Sequence, residues 1–299
     1  MIATWTISLA ALVVSLPDDP PNSKPCPYET RHDAPLDETR MVVTDAEGHT
    51  LWRVEFNGIK ADRVPAYLYV PKDGQSKHPA VLLQYGSGGD KKVDYIAALG
   101  RQFVSHGFVV LTIDAPGRGE RRGDEPKRKT DWLFSNEGRD IFLQYCGDYS
   151  RAIDYLVSRP DVEPEQVGYV GISWGAITGI TFAAHDRRIK AVASLVGGGN
   201  FLGLSGAFGG KKGEEGGPQV VSIDPVRHVG QVAPRPLLLL NVTRDQLVLR
   251  PFADALHEAA GEGCKKVWIE TDHYFTGVDR VELGETVIGF IEDHLRRTE

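Results

Sequence analysis

The chain has 299 residues, 41% of them hydrophobic and 25% charged, with a formal net charge of −7. That length and composition suit one large or two small globular domains whose core can exclude water from a site. The acidic balance argues against nucleic acid as a partner, and beyond the N-terminus no apolar run is long enough to span a bilayer.

Met1 to Leu16 (MIATWTISLAALVVSL) is apolar and uncharged, and a proline-rich polar stretch, PDDPPNSKPCP, follows it. This reads as a signal peptide followed by an N-terminal arm over 17–49, which makes the expected location periplasmic or secreted. The segment lacks a basic start and a clear small-residue cleavage site. The competing reading is an apolar strand or helix packed on a cytoplasmic domain. Cys26, Cys146 and Cys264 are odd in number and widely spaced, so they outline neither a disulfide framework nor a metal site. Cys146 falls in a helical pattern and reads as a small core residue.

From Thr50 to Pro71 the pattern alternates, which predicts two antiparallel strands with a turn near Asn57-Gly58. Ala80–Tyr85 and Phe108–Asp114 are short apolar runs that read as buried strands, and Lys91–Gly107 between them has helical spacing. Arg139–Ser158 is helical, with Ile141, Tyr145, Tyr149, Ile153 and Leu156 on one stripe. Gln166–Ile172 predicts a strand and Ala176–Ala184 a helix of small residues. Strands at Ile189–Val196, Pro236–Val242 and Lys265–Glu270 follow, with helices at Pro251–Ala260 and Val278–Arg297. Strand–helix alternation predicts one α/β domain over 50–299, with a mostly parallel sheet and helices on both faces. Such sheets place their chemistry at the carboxyl ends of the strands. The glycine-rich stretch from Gly197 to Val221 reads as a cap over a site or as a plain loop.

Ser173 lies in Gly171-Ile172-Ser173-Trp174-Gly175, a Gly-x-Ser-x-Gly frame. A chain with 33 glycines yields such a pentapeptide by chance in roughly one case in six, so the context must decide. The strand VGYVGI precedes it and the small-residue helix GAITGITFAA follows it, the setting of a nucleophile elbow. A serine hydroxyl needs a base, and the base needs an orienting acid. In this architecture the acid and then the histidine follow the serine in chain order. Asp245 follows the strand PLLLLNVTRD, and His273 follows KKVWIETDH. His257 and His294 fall within helices, and Asp272 adjoins His273 itself, so they fit the roles less well. Two backbone N–H groups should stabilise the oxyanion, each worth roughly 3 kcal/mol. Trp174 supplies one, and Ser87, in the glycine-rich loop after AVLLQY, supplies the other. Tyr85, Gly86 and Trp174 are placed to touch substrate. The chemistry requires no metal or organic cofactor, and no His/Cys cluster suggests one.

These motifs, together with YGSGG (Tyr85–Gly89), DAPGRGE (Asp114–Glu120) and TDHYF (Thr271–Phe275), resemble the α/β-hydrolase family. Within it they resemble the dienelactone hydrolase and acetyl xylan esterase-like branch. The resemblance spans about Leu51 to Leu295. It implies a Ser173–His273–Asp245 triad and hydrolysis of small-molecule or carbohydrate esters. The family's His-Gly after the third strand is Tyr85-Gly86 here, and the nucleophile is serine where dienelactone hydrolases look to use cysteine. Serine moves the expectation toward a carboxylesterase or deacetylase. A prolyl oligopeptidase-like peptidase shares the fold, but roughly 50 residues before the first strand are too few for that family's propeller. A non-catalytic scaffold is disfavoured because all three triad members are present. The basic run Arg118–Lys129 reads either as recognition of an anionic or sugar substrate or as a solvated, ion-paired loop. Trp132 and Phe134 read as a substrate wall or as loop anchors.

Overall fold

The computed structural model describes residues 26–123, 135–201 and 220–296. The expected leader over 1–16, Trp132, Phe134, the basic residues beyond Gly123 and most of the 197–221 stretch lie outside the described residues.

Nine strands form one sheet in the order β1-β2-β3-β5-β4-β6-β7-β8-β9. They are β1 (Thr39–Asp45), β2 (His49–Asn57), β3 (Arg63–Pro71), β4 (His78–Gln84), β5 (Val109–Ile113), β6 (Val162–Ile172), β7 (Ile189–Leu195), β8 (Leu237–Arg244) and β9 (Lys265–Asp272). β1, β2 and β3 run antiparallel to their neighbours, and β3 joins β5 antiparallel. From β5 to β9 every pairing is parallel. β4 and β5 are buried along their whole length, as continuous apolar runs in a parallel sheet should be.

The six α-helices described are α1 (Asp94–Ser105), α2 (Asn136–Val157), α3 (Trp174–His185), α4 (Pro225–His228), α5 (Arg250–Ala259) and α6 (Arg280–Leu295). The glycines of β6 show how the helices are shared between faces. A methyl group on Gly168 would meet Ile291 and Leu295 of α6, whereas one on Gly171 would meet the first turn of α3. Residues three apart on a strand point to opposite sides. α3 and α6 therefore cover opposite faces, with α2 packed beside α3 and α1 beside α6. Side-chain caps fix two helix starts: Ser135 Oγ accepts Gly138 N–H (3.0 Å), and Asp279 Oδ1 accepts Val281 N–H (2.8 Å).

The sheet begins at Thr39 rather than near Thr50, and β1 pairs with β2 over Thr39–Asp45. All seven residues of β1 are exposed, so this edge strand carries no alternating pattern. The chain before it is built into the domain as well. Arg151 of α2, 1% exposed, donates to the carbonyls of Arg31 (2.7 Å) and Ala34 (2.9 Å). Tyr28 donates to Phe182 O (2.9 Å). Among the described residues, no helix is long and apolar enough to cross a membrane.

Candidate active site

The turn between β6 and α3 carries Ser173 with φ 54° and ψ −113°, a conformation rare for a residue with a side chain. The surroundings hold it there. Ser173 N–H donates to Leu195 O (2.8 Å) and Gly175 N–H to Tyr85 O (3.0 Å). Both flanking glycines are required by close approach. A methyl group on Gly171 would lie 2.4 Å from Gly175 O, and one on Gly175 would lie 2.8 Å from Gln84 O. Tyr169 Oη donates to Gly175 O (2.6 Å), and Gly179 of α3 leaves room for its ring. The small residues of α3 thus let the helix sit on the strand, and Ser173 stands at the summit of the turn.

His273 and Asp245 come from the turns after β9 and β8, which pair in parallel. His273 Nε2 lies 3.0 Å from Ser173 Oγ, and its Nδ1 lies 2.9 and 2.8 Å from the two oxygens of Asp245. The side chains of His273 and Asp245 are 6% and 2% exposed. Asp245 Oδ1 also accepts Leu247 N–H and Val248 N–H, both at 2.8 Å, which fixes the carboxylate plane. Asp272 shapes the histidine turn by accepting Tyr274 N–H and Thr276 N–H, each at 3.0 Å. The Thr276 N–H bond, first among several, lowers the pKa of that carboxyl.

The loop after β4 forms the opposite wall. Gly86 is packed against Ser173: a methyl group there would lie 3.2 Å from Ser173 Cβ and 3.5 Å from Ser173 Oγ. Gly89 N–H donates to Gly86 O (3.1 Å), closing a turn whose exposed tip holds Ser87. Among the described residues, Ser87 N–H has no protein acceptor. Trp174 is the first residue of α3, so its N–H lacks an intrahelical partner. The loop is pinned from below. Lys91, fully buried, bonds through Nζ to Asp114 Oδ2 and to Glu120 Oε1 (2.6 Å). Tyr95 Oη accepts Gly86 N–H (2.9 Å). Nothing in the sequence pattern marked Tyr95, which sits in the first turn of α1.

One sequence expectation changes here. Tyr85 was placed to touch substrate, but its side chain is only 4% exposed and its hydroxyl accepts Ala115 N–H (2.8 Å). Its link to the elbow is the carbonyl that accepts from Gly175, while the ring braces the loop after β5. Within the basic run, two of the described charges, Glu120 and Arg121, are paired inside the protein. Arg121 pairs with Asp148 (2.8 Å) and Asp62, and Glu120 pairs with Arg53 and Lys91. The Arg53 guanidinium, ahead of Lys91, holds the Glu120 carboxyl down to about 2.

Trp174 is half-buried, its ring edge-on to Phe142 (5.9 Å) and Tyr145 (6.3 Å), and Phe142 meets Phe201 at 6.2 Å. The Trp174 ring, next in sequence to Ser173, is thus held by buried aromatic side chains of the core. The other histidines considered are occupied elsewhere: His257 Nε2 bonds Asn241 Oδ1 (2.9 Å) and His294 Nδ1 bonds Phe290 O (2.7 Å). Cys146 is buried, where desolvation pushes its thiol pKa up. Among the described residues, no group of three or more His, Cys, Asp or Glu could hold a metal ion.

YtaP of Bacillus subtilis (strain 168) is 30% identical to the chain over 191 residues, 59% of each protein. Thiohydrolase aneE of Aspergillus aculeatus is 27% identical over 154 residues, 52% of this chain and 44% of its own. The chain thus spans less than two thirds of the length of these relatives. Among solved structures, acetyl xylan esterase from Paenibacillus sp. R4 superposes with a TM-score of 0.71 at 18% identity, covering 88% of this chain and 90% of that one. A cold-adapted esterase from an Arctic intertidal metagenomic library superposes with a TM-score of 0.64 at 22% identity, covering 85% and 97%. These likenesses establish an α/β-hydrolase fold. Residues 64–224, more than half of the chain, match the Dienelactone hydrolase family, and the chain belongs to it.

Proposed function

We propose that the protein is a serine carboxylesterase acting on small or medium carboxylic esters through an acyl-enzyme, with Ser173, His273 and Asp245 as its triad. The observation that carries this reading is the unbroken hydrogen-bond line from Asp245 through His273 to Ser173 Oγ, with Nε2 at 3.0 Å. Asp245 accepts from Nδ1, which keeps that nitrogen protonated and leaves Nε2 free to take the serine proton. Ser173 Oγ then attacks the ester carbonyl, and the negative charge develops between the N–H groups of Ser87 and Trp174. Each such donor lowers the barrier by roughly 3 kcal/mol when it is preorganised. His273 returns its proton to the departing alcohol. Water, deprotonated by the same imidazole, releases the acid.

The half-buried Trp174 ring next to Ser173, backed by the buried Phe142, supports a compact acyl group, such as acetyl. The structural neighbours named as esterases and an acetyl xylan esterase support esters of small alcohols or carbohydrates as the substrate class. Purified protein should hydrolyse p-nitrophenyl acetate and take up one fluorophosphonate label on Ser173. Ser173→Ala should lose both. Equal rates for parent and variant would refute the nucleophile assignment, and a panel of acyl chain lengths with acetylated xylan would define the alcohol and acyl preference.

A further inference from the structure

Tyr95 has a place that bracing a loop does not require. A methyl group built on Gly86 would lie 3.4 Å from Tyr95 Oη, 3.2 Å from Ser173 Cβ and 3.5 Å from Ser173 Oγ. The two hydroxyls therefore flank one small gap above Gly86, each within van der Waals reach of its centre. Ser87 N–H leaves the same turn, and Trp174 N–H begins the helix just past Ser173. A neutral tyrosine hydroxyl has one proton to give and lone pairs to receive. Here Gly86 N–H occupies the accepting side (2.9 Å), and among the described residues the proton goes to no protein acceptor. Donation into Oη polarises the O–H bond, because hydrogen bonds in a chain strengthen one another. Gly86 N–H, spent on Tyr95, is not itself available to a substrate.

We propose that Tyr95 is a catalytic residue whose hydroxyl donates to the oxyanion of the tetrahedral intermediate, beside the N–H groups of Ser87 and Trp174. This rests on the esterase reading of Ser173. When Ser173 Oγ bonds to the ester carbon, the carbonyl π pair moves onto oxygen, and Tyr95 stabilises that charge through its O–H. Tyr95 keeps its proton throughout. When the alcohol leaves, the C=O bond reforms and the hydroxyl is released, so proton traffic stays with His273. Burial raises the Tyr95 pKa, ahead of an opposing contribution from Gly86 N–H and a reinforcing one from Asp90, which keeps the donor form present at neutral pH.

Tyr95→Phe should lower kcat for p-nitrophenyl acetate by about 100-fold and leave KM nearly unchanged. Affinity for a trifluoromethyl ketone, which forms an oxyanion on Ser173, should fall by the same factor. Because Phe also deprives Gly86 of its acceptor, a second variant separates donor from brace. 3,5-Difluorotyrosine at position 95 keeps the ring and the accepting oxygen but acidifies the hydroxyl. A donor makes activity fail at lower alkaline pH than in the parent, whereas a brace leaves the pH profile unchanged. Asp90 and His273 are present in both proteins and cancel in that comparison. An unchanged profile, or Tyr95→Phe within about twofold of the parent, overturns the inference. Absence of fluorophosphonate label on Ser173 in the parent would instead overturn the esterase reading beneath it.

Discussion

Gly171→Ala tests whether the elbow is fixed by contact between β6 and α3. The added methyl carbon would lie 2.4 Å from Gly175 O, 2.5 Å from Gly175 C and 2.7 Å from Ala176 N, all backbone atoms. Relaxed contacts of this kind begin near 3.5 Å, so the first turn of α3 must retreat by about 1 Å. Ser173 Oγ and His273 Nε2 are 3.0 Å apart now, and a retreat of that size breaks their hydrogen bond. Displacement on this scale costs about 100-fold in kcat. Overpacking should cost about 1–3 kcal/mol of stability as well. Gly168→Ala on the same strand is the matched control. Its methyl's tight contacts would be side-chain ends, Ile291 Cγ2 at 3.2 Å and Leu295 Cδ1 at 3.3 Å, which can turn aside, and Ala191 O would lie at an ordinary 3.6 Å. Steady-state kinetics and thermal melts of the two variants make the comparison. If Gly171→Ala keeps activity within a few-fold of Gly168→Ala, the steric account of the Gly-x-Ser-x-Gly frame is wrong.

Asp245→Asn should keep the fold, since the new amide oxygen can still accept from Leu247 and Val248. Its NH2 then faces His273 Nδ1, moves the imidazole proton to Nε2 and removes the base. Activity should drop about 10,000-fold, as a triad with the wrong tautomer does, and a loss below tenfold would exclude Asp245 from the role. His257 gives a pH prediction. Burial, ahead of the Lys266 charge, lowers its pKa from 6.5 to about 4. The folded state favours the neutral ring, so this contribution to stability is complete above about pH 6.5 and disappears as pH falls through about 4. The full span is worth about 3 kcal/mol. His257→Gln should flatten the fall of unfolding free energy over that window in urea titrations. His185, also held at about 4 by burial, contributes a slope of the same sign in both proteins. Identical slopes for parent and variant would remove His257 from the account.

Much of the fold was legible because its strands are buried. β4, β5 and β8 read as unbroken apolar runs, since helices cover both faces of a parallel sheet. β1 was not legible for the opposite reason: TRMVVTD is an exposed edge strand whose placement depends on β2 alone. Ser173, Asp245 and His273 were legible as candidates because each follows a strand, and parallel strands deliver their following turns to one edge of the sheet. The fate of charged and hydroxyl groups was not. The partners of Arg121, Asp62 and Asp148, lie 59 and 27 residues away in sequence, so the choice between ligand recognition and ion pairing in the basic run needed the structure, which pairs that residue. Tyr85 stands directly before the loop that faces Ser173, yet its side chain points to Ala115 N–H.

The sequence by itself determined the α/β alternation, the serine turn and the chain order of an acid and a histidine after it. These are local patterns, written in hydrophobic period and in glycines that a close approach demands. Only the tertiary structure decided distances: that Nε2 of His273 stands 3.0 Å from Ser173 Oγ, and that Gly86 N–H is taken up by Tyr95. The physical reason is that a hydrogen bond reaches about 3 Å whatever the sequence separation, so its partners are fixed by packing and not by spacing along the chain.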